Sequence, residues 1–292
     1  MCAISLINRR EPRTDTDSPN LNQQCIRPPN RHCCFRLLNI HRPVRSKSEE
    51  IKGKVKMFEG QPIESDAQRV FETIKDGGVA IFPVSVGYAI AGHEDEAIRR
   101  IYQAKGRSFE KPCGNFCDWD LFNDALDVPT QGRDIVSEII HRHNLPFSVV
   151  APFRADHPLV QSLPPFALQN ATKAGTMDML LNAGPLHDEI ARLARINDYA
   201  ISGSSANRSL AGSKFVFEDI EEQVVEIGDI TIDYGLVPYR NDKGLGSTIV
   251  DLISYETIRV GAVYEQICDI VKDTFDIDFK TILMTQAKPA IR

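Results

Sequence analysis

The sequence lacks an apolar run long enough to cross a membrane, which takes about 18 residues. The longest apolar stretch, residues 80–90, is broken by Pro83 and Gly87, so no membrane partner is expected. Several short signatures are also missing. There is no GxxxxGK[ST] phosphate loop, no GxGxxG after the first predicted strand, no GxSxG elbow and no HExxH helix. The chemistry must therefore be sought in less standard motifs.

Paired cysteines of the zinc-binding kind are absent as well. The chain has seven cysteines, an odd number, and four of them lie in the first 34 residues. Cys113 and Cys117 have a CxxxC spacing, but no second pair follows them, and a structural zinc site needs four ligands. No metal site is predicted from these residues. Unpaired thiols are typical of an intracellular protein, and we expect a cytoplasmic one.

Charge is unevenly distributed along the 292 residues. The net charge is −6, whereas residues 1–56 hold 12 basic and 5 acidic residues, a net of +7, so the remainder carries −13. A globally acidic chain of this kind is a poor candidate for a DNA partner. The basic segment has little apolar periodicity and is interpreted as a disordered arm. A targeting segment is the alternative, since arginine-rich, acid-poor termini resemble mitochondrial presequences.

Hydrophobic periodicity predicts alternating helices and strands from about residue 58 onwards. The irregular alternation, with some strands adjacent in sequence, favours an α/β or α+β domain built on one twisted sheet. Helices are predicted over residues 67–75, 95–105, 135–141, 185–196 and 262–273. Strands are predicted over residues 79–84, 147–151, 199–202, 227–233, 248–252 and 257–260.

Three clusters are candidates for anion binding, and the first follows a predicted helix. It consists of Lys105-Gly106-Arg107, with Lys111 shortly after. If this segment is extended, Lys105 and Arg107 face the same side and can bind a polyphosphate. The alternative is a solvated basic helix end that complements the helix dipole.

The other two clusters are rich in small residues. Residues 202–209 follow a strand, and their N–H groups, with Ser205 and Asn207, can turn towards an anion; the alternative is an ordinary polar turn. Residues 244–251 form a glycine-rich turn into a strand, and Arg259 precedes a helix start, which suits a phosphate. The alternative here is a plain hairpin with a surface arginine.

In this order, the clusters resemble the motifs of the YrdC family, whose best-known members are threonylcarbamoyl-AMP synthases. The resemblance spans roughly residues 60–267. The segments that carry it are GGVAIFP at 77–83 with Tyr88, residues 97–107 with Lys111-Pro112, PFSVV at 146–150, SSANRS at 204–209, GSTIVD at 246–251 and RVGA at 259–262.

The resemblance implies an open, twisted mixed sheet with flanking helices and a concave, positively lined cavity. The family condenses threonine, bicarbonate and ATP into threonylcarbamoyl-AMP and pyrophosphate, usually with Mg²⁺, for the threonylcarbamoyladenosine modification of tRNA. Some members bind double-stranded RNA in the same cavity. The chain is similar to the short, single-domain type. Its expected organisation is an arm over residues 1–56, a YrdC-like domain over 57–270, and a helix end with a tail over 271–292.

Site residues are carried over by position. The nucleotide-binding positions correspond to Lys105, Arg107, Lys111, Thr176, Asn207 and Arg259. The substrate-binding positions correspond to Tyr88, Ser148, Ser205 and Ser247. The implied small-molecule partners are ATP, bicarbonate and an amino acid or another carboxylate.

The threonine pocket departs from the family pattern. Val84 and Val86 stand where the family's Pro-Thr-Glu-Thr run has threonines, Phe116 stands in place of a histidine, and Leu180 in place of an arginine. A substrate carboxylate that lacks a cationic partner loses binding free energy on the order of 1–3 kcal/mol. Two alternatives therefore remain beside the standard activity: a divergent enzyme acting on another small carboxylate or carbamate, and a non-catalytic module that binds nucleotide or double-stranded RNA.

Overall fold

The structure is a computed structural model that describes residues 57–281. The predicted N-terminal arm or targeting segment over residues 1–56 lies outside the described residues, as do residues 282–292 of the helix end and tail predicted over 271–292. Between residues 57 and 281, no helix has both the length and the apolar character that crossing a bilayer requires.

The described residues form one mixed sheet of eleven strands. Its order is β11-β10-β9-β4-β6-β3-β7-β2-β1-β8, and the short β5 pairs with β6 outside this order. The strands are β1 (Ala80–Val84), β2 (Gly87–Gly92), β3 (Gly114–Phe116), β4 (Phe147–Pro152), β5 (Thr172–Lys173), β6 (Thr176–Leu181), β7 (Ser202–Ser205), β8 (Ile230–Thr231), β9 (Ile249–Asp251), β10 (Glu256–Arg259) and β11 (Lys280–Thr281).

Helices connect these strands. They are α1 (Ile63–Lys75), α2 (Asp95–Lys105), α3 (Trp119–Ala125), α4 (Thr130–Ser137), α5 (Pro158–Gln161), α6 (Pro165–Ala171), α7 (Pro185–Ile196), α8 (Glu222–Val225) and α9 (Tyr264–Phe275). A π-helical turn, Glu138–Arg142, continues α4, and a 3₁₀ turn covers Phe217–Asp219.

The two faces of the sheet are covered differently. On the closed face, alternate strand residues such as Ile90, Val149 and Met179 belong to a core that includes residues of α2, α3 and α4. On the open face, α1 and α7 cover β1 and β2 through a second core that contains Phe82 and Ile190. The part of the open face over β6, β4, β9 and β10 is left as a concavity. The site lies there.

The mixed α/β prediction is confirmed, and two helices have the predicted bounds. Helices α2 and α7 cover residues 95–105 and 185–196, where apolar residues recur at helical spacing. Strand β4 exceeds its prediction by one residue. The predicted helix over 135–141 is the second half of a longer helical segment that starts at Thr130.

Three predictions of local structure were wrong. The segment around Lys105 is not extended, because Lys105 is the last residue of α2 and Gly106 ends the helix with a φ of +57°. The strand predicted over 199–202 runs instead over Ser202–Ser205, pairing with both β2 and β3. The strand predicted over 227–233 is reduced to Ile230–Thr231.

The last helix also begins later than predicted. Ala262 donates its N–H to the carbonyl of Gly246 at 2.7 Å, so it belongs to a strand-like bridge rather than to the helix. Val263 then adopts a left-handed conformation, and α9 starts at Tyr264. Because α9 begins only at Tyr264, the residues that follow Arg259 lie against the glycine-rich turn.

Candidate functional site

A cavity of about 880 Å³ occupies the uncovered part of the open face. All fourteen residues predicted for the site line it: Tyr88, Lys105, Arg107, Lys111, Ser148, Thr176, Ser205, Asn207, Ser247 and Arg259, together with Val84, Val86, Phe116 and Leu180. The structure thus brings together the three sequence clusters and the four altered positions. The binding role of each residue stays a prediction.

Strand register sets the layout of the cavity floor. Ser148 pairs with Leu180 on one side and with Ile249 on the other. Leu180 in turn pairs with Phe116, and Ile249 with Arg259. Paired residues point to the same face of a sheet. The row Phe116–Leu180–Ser148–Ile249–Arg259 therefore runs from an apolar end of the cavity to a polar end.

At the polar end, Arg259 is held by Ser247. Its Nε donates to the Ser247 carbonyl at 2.9 Å, and its Nη2 donates to Ser247 Oγ at 2.8 Å. Ser247 Oγ lies 2.9 Å from Ser148 Oγ, which extends the chain of hydrogen bonds to the centre of the floor. Arg259 as a whole residue is exposed, but desolvation of its guanidinium against the cavity floor lowers its pKa from the usual value, and nearby Asp178 opposes this shift. The guanidinium is thereby positioned next to the Ser247 hydroxyl, which in turn contacts the Ser148 hydroxyl.

The sequence predicts a Lys105 ammonium group that is free to bind phosphate, whereas in the structure this group is bonded to backbone carbonyls. Its side chain is only 2% exposed, and Nζ donates to the carbonyls of Ser205 and Asn207. The N–H of Ser209 donates to the Lys105 carbonyl at 2.8 Å. Burial, reinforced by Arg107, lowers the pKa of Lys105 to about 7. Lys105 therefore joins the end of α2 to the 205–209 loop.

Arg107 and Lys111 lie at the rim of the cavity. Arg107 Nε donates to the Lys111 carbonyl at 3.2 Å, and Nη2 donates to the Pro112 carbonyl at 2.7 Å. These bonds fold the 107–112 segment around the guanidinium. The Lys111 side chain is exposed at the cavity wall. Both residues are thus placed where a bound polyanion would meet them.

The remaining polar predictions have local partners. Thr176 Oγ1 donates to the Lys173 carbonyl at 2.8 Å, and the Asn207 amide donates to the Arg208 carbonyl at 2.5 Å. The Tyr88 hydroxyl contacts Asp233 and the carbonyl of Gly235. Burial and its hydrogen bond to Asp233 raise the pKa of Tyr88 above its usual value. Tyr88 lines the cavity while its hydroxyl is directed to the 233–235 loop.

The apolar end is closely packed. Val84, Val86 and Phe116 are each no more than 5% exposed. The Phe116 ring lies 5.4 Å from that of Phe82 and 5.2 Å from that of His187. The four altered positions therefore form a hydrophobic wall that is continuous with the core beneath α1 and α7.

Glycine is required where this wall meets strand β7. A Cβ on Gly203 would lie 2.7 Å from the carbonyl oxygen of Ile90 and 2.9 Å from the Phe116 ring. Any other residue at this position would force the ring out of its packing against the sheet. Gly203 thus leaves the space that the Phe116 ring occupies beside β7.

Sequence reasoning missed Asp178, the acidic side chain on the cavity floor between Thr176 and Leu180. Burial raises its pKa to about 6, and Arg259 and Arg107 oppose that shift. Its Oδ1 atom is buried and has no hydrogen-bond partner among the described residues. The signal was available, because apolar residues at 177, 179 and 181 alternate with residues that face the cavity. That pattern indicates a half-buried strand.

Carboxylates in the cavity do not form a resident metal site. Within residues 57–281, no group of three or more His, Cys, Asp or Glu side chains could hold a metal ion. Asp251 lines the cavity, but its Oδ1 accepts the N–H groups of Ile253 and Ser254 at 2.8 and 2.9 Å. A Mg²⁺ ion that arrives with nucleotide phosphates needs only one or two protein carboxylates, so this arrangement fits a nucleotide-borne ion.

Comparison with known proteins identifies one family. The Sua5/YciO/YrdC family model, described as "Telomere recombination", matches residues 72–261. None of the curated protein sequences matches the chain significantly.

Several solved structures share the fold. A hypothetical protein from Streptococcus mutans UA159 is 18% identical, with a TM-score of 0.62 over 73% of this chain and 94% of that chain. P. abyssi Sua5 complexed with L-threonine is 17% identical, with a TM-score of 0.59 over 75% of this chain and 59% of that longer chain. E. coli YciO is 19% identical, with a TM-score of 0.51 over 70% of this chain and 93% of that chain.

Proposed function

The chain belongs to the Sua5/YciO/YrdC family, and we propose that it is an ATP-dependent nucleotidyltransferase of the threonylcarbamoyl-AMP synthase type. Its substrates in this proposal are ATP as its Mg²⁺ complex, bicarbonate and a small amine-bearing acceptor. One observation supports this most directly. Arg107, Lys111, Lys173 and Arg259 line the same cavity as the Ser148–Ser247 hydroxyl pair. A triphosphate is the small ligand whose charge best matches such a set.

The proposed reaction has two steps. The acceptor nitrogen attacks the carbon of bicarbonate, a C–N bond forms, and water leaves, which gives an N-carbamate. A carbamate oxygen then attacks the α-phosphorus of ATP, the bond between the α-phosphorus and the bridging oxygen breaks, and pyrophosphate leaves. Negative charge shifts onto pyrophosphate in the second step. Cations already positioned around the triphosphate stabilise that charge without reorganisation.

Each polar group has a specific part in this scheme. Arg259, oriented by Ser247, contacts phosphate oxygens, and Arg107 and Lys111 contact the phosphates from the rim. The Ser148 and Ser247 hydroxyls donate to the carbamate or to the transferred phosphoryl group. Lys105 is a positioning residue, because its Nζ holds the carbonyls of the 205–209 loop and so directs the loop towards the nucleotide.

A second candidate is an enzyme that uses the same chemistry on a different acceptor. The observation in its favour is the hydrophobic wall of Val84, Val86, Phe116 and Leu180. An acceptor with an apolar body gains about 0.8 kcal/mol for each methylene that it buries against such a wall. The two candidates share the nucleotide site and differ only in what occupies the apolar end.

ATP–pyrophosphate exchange tests the proposal. With bicarbonate and a panel of amino acids and amines, the wild-type protein should exchange label only when both bicarbonate and an acceptor are present. Salt-sensitive binding of double-stranded RNA with no exchange for any acceptor would instead support a binding module.

Arg259→Ala provides the matched site variant. Loss of a charged hydrogen-bonding group costs about 1.5–3 kcal/mol, so MgATP affinity measured by calorimetry should fall 10- to 100-fold. Arg208→Ala is the control, because Arg208 is an exposed arginine of the 205–209 loop that does not line the cavity. Equal losses in the two variants would contradict the assignment of Arg259.

A further inference from the structure

Charges in the cavity are arranged asymmetrically along strand β6. Every second residue of this strand, namely Thr176, Asp178 and Leu180, faces the cavity. Asp178 is thus one step of about 7 Å from Leu180, at the boundary of the apolar end. A Cβ on Gly114 would come within 3.3 Å of Asp178 Oδ2, so a glycine next to the carboxylate leaves room beside it.

Arg259 is separated from the apolar end by the width of the cavity floor. Arg259 lies in the same row as Leu180, but Ser148 and Ile249 stand between them. Three strand spacings of about 4.8 Å separate the two positions, or about 14 Å. Arg107 is held by the carbonyls of Lys111 and Pro112, and Lys105 by those of Ser205 and Asn207. Among the described residues, Asp178 is therefore the ionisable group best placed to meet a ligand in the apolar end.

Asp178 is also poorly satisfied by the protein itself. Its buried Oδ1 atom has no hydrogen-bond partner among residues 57–281. Arg259 and Arg107 are near enough to influence it. When a triphosphate neutralises these arginines, the carboxylate is left facing the acceptor. A half-buried carboxylate with one buried, unpartnered oxygen favours a hydrogen-bond donor in that position, preferably a cationic one.

We propose that the acceptor is a primary amine with an apolar body and no carboxylate, and that Asp178 is the specificity-determining residue that binds its ammonium group. This inference rests on the proposed nucleotidyl transfer and specifies its acceptor. An amino acid would bring a second carboxylate into the apolar end, close to Asp178, while the two arginines that influence Asp178 are engaged by the triphosphate. The amine lacks that repulsion, and each methylene buried against the wall raises its affinity about fourfold.

Asp178 also accounts for the proton that the reaction must release. The ammonium group gives one proton to the carboxylate, and the neutral amine then attacks bicarbonate with loss of water. The resulting carbamate accepts the adenylyl group as described above. Burial raises the pKa of Asp178 to about 6, which makes this carboxylate a better proton acceptor than an exposed aspartate.

Matched acceptor pairs test the inference, because members of a pair differ only in the carboxylate. The pairs are L-threonine with 1-amino-2-propanol, L-valine with isobutylamine, and L-leucine with 3-methylbutylamine. Pyrophosphate release is measured with MgATP and bicarbonate. In each pair the amine should have at least a tenfold higher kcat/KM than the amino acid. Preference for the amino acids would overturn the inference and leave the proposed nucleotidyl transfer standing.

Three variants locate the effect. Asp178→Asn should lower kcat/KM for the amines at least tenfold while MgATP affinity stays within twofold of wild type. Leu180→Arg should shift the preference within each pair towards the amino acid, since it places a cation beside Asp178. Asp156→Asn, which removes an exposed carboxylate outside the cavity, should change neither measurement. Unchanged amine use in Asp178→Asn, or a loss of MgATP affinity alone, would refute the assignment.

Direct binding separates this inference from the proposed function. Calorimetry measures the binding of 3-methylbutylamine to the wild-type protein and to Asp178→Asn, each saturated with a non-hydrolysable MgATP analogue. We expect binding that weakens at least tenfold in the variant. If no acceptor supports pyrophosphate release, nucleotidyl transfer fails but Asp178-dependent amine binding still upholds the amine site. If the amine does not bind wild type, the inference itself is wrong.

Discussion

The two ends of the cavity are positioned by different forces. At the polar end, Arg107, Lys105 and Arg259 are held by hydrogen bonds to backbone carbonyls of loops. At the apolar end, Val84 and Phe116 are held by packing within a core that α1 and α7 cover. The polar end therefore depends on the path of the loop backbone, whereas the apolar end depends on close packing. Substitutions at the two ends should affect the protein in correspondingly different ways.

The largest effect is expected at the polar end, for Gly261→Ala. A Cβ on Gly261 would overlap the main chain of Ser247 and Thr248, and backbone atoms cannot move aside as a flexible side chain can. We expect the free energy of unfolding to fall by about 3–4 kcal/mol, measured by urea denaturation. MgATP affinity should fall as well, because the overlap displaces Arg259 from Ser247.

Gly114→Ala is the control for that prediction. Gly114 also lies at the cavity, but the nearest atom to its added Cβ is Asp178 Oδ2 at 3.3 Å, at the end of a side chain that can shift. Its unfolding free energy should change by less than about 1 kcal/mol. If Gly261→Ala proved as mild as Gly114→Ala, the polar end would not depend on its loop backbone as argued.

Phe116→Ala should have the next largest effect, and it tests the apolar end. Removing a buried phenylalanine typically costs 3–5 kcal/mol. Part of the Phe116 surface already faces the cavity, so we expect a loss of about 2–3 kcal/mol in unfolding free energy. Nucleotide affinity should change little. Phe109→Ala, which truncates a ring that is 55% exposed, should cost less than about 1 kcal/mol. A loss of MgATP affinity without a loss of stability would contradict the division between the two ends.

Much of the fold and of the polar end could be predicted from local sequence. Helices α2 and α7 have the periodicity expected for one buried face, and tertiary structure did not change their bounds. Arg259 and the 205–209 loop were selected because three candidate anion-binding clusters occur in the order of the family motifs, whereas each cluster alone is equally typical of a polar turn or a hairpin. The convergence of these segments on one cavity follows from the order of the strands.

The rest depended on contacts between distant parts of the chain. Strand β3 has only three residues, and it is defined by pairing with β6 and β7 rather than by its own pattern. Lys105 was interpreted as a free cation, because only the folded chain shows that the carbonyls of Ser205 and Asn207 surround its Nζ. Asp178 was missed because it follows Thr176 in a strand that was not predicted.

The smallest expected effect concerns Asp178, where the two ends meet. Burial raises its folded-state pKa from 3.8 to about 6, against the opposing influence of Arg259 and Arg107. Between pH 4 and pH 6 the folded protein therefore holds a proton on Asp178 that the unfolded chain has released. The contribution of Asp178 to the free energy of unfolding is fully present below about pH 4 and is lost as the pH rises through about 6.

Urea denaturation of wild type and Asp178→Asn at pH 4, 5, 6 and 7 measures this contribution. Relative to the variant, wild type should lose roughly 1–2 kcal/mol of unfolding free energy between pH 4 and pH 6, and only a few tenths of a kcal/mol more by pH 7. The full pKa shift would give more, but Asp178 is only half-buried, so solvent screening reduces the contribution. Asp156→Asn, the surface control, should follow the wild-type profile. Parallel profiles for wild type and Asp178→Asn would show that the pKa of Asp178 is not raised in the folded protein. The arginines of the polar end would then compensate the desolvation of this carboxyl, and the distinction between the two ends would not hold at Asp178.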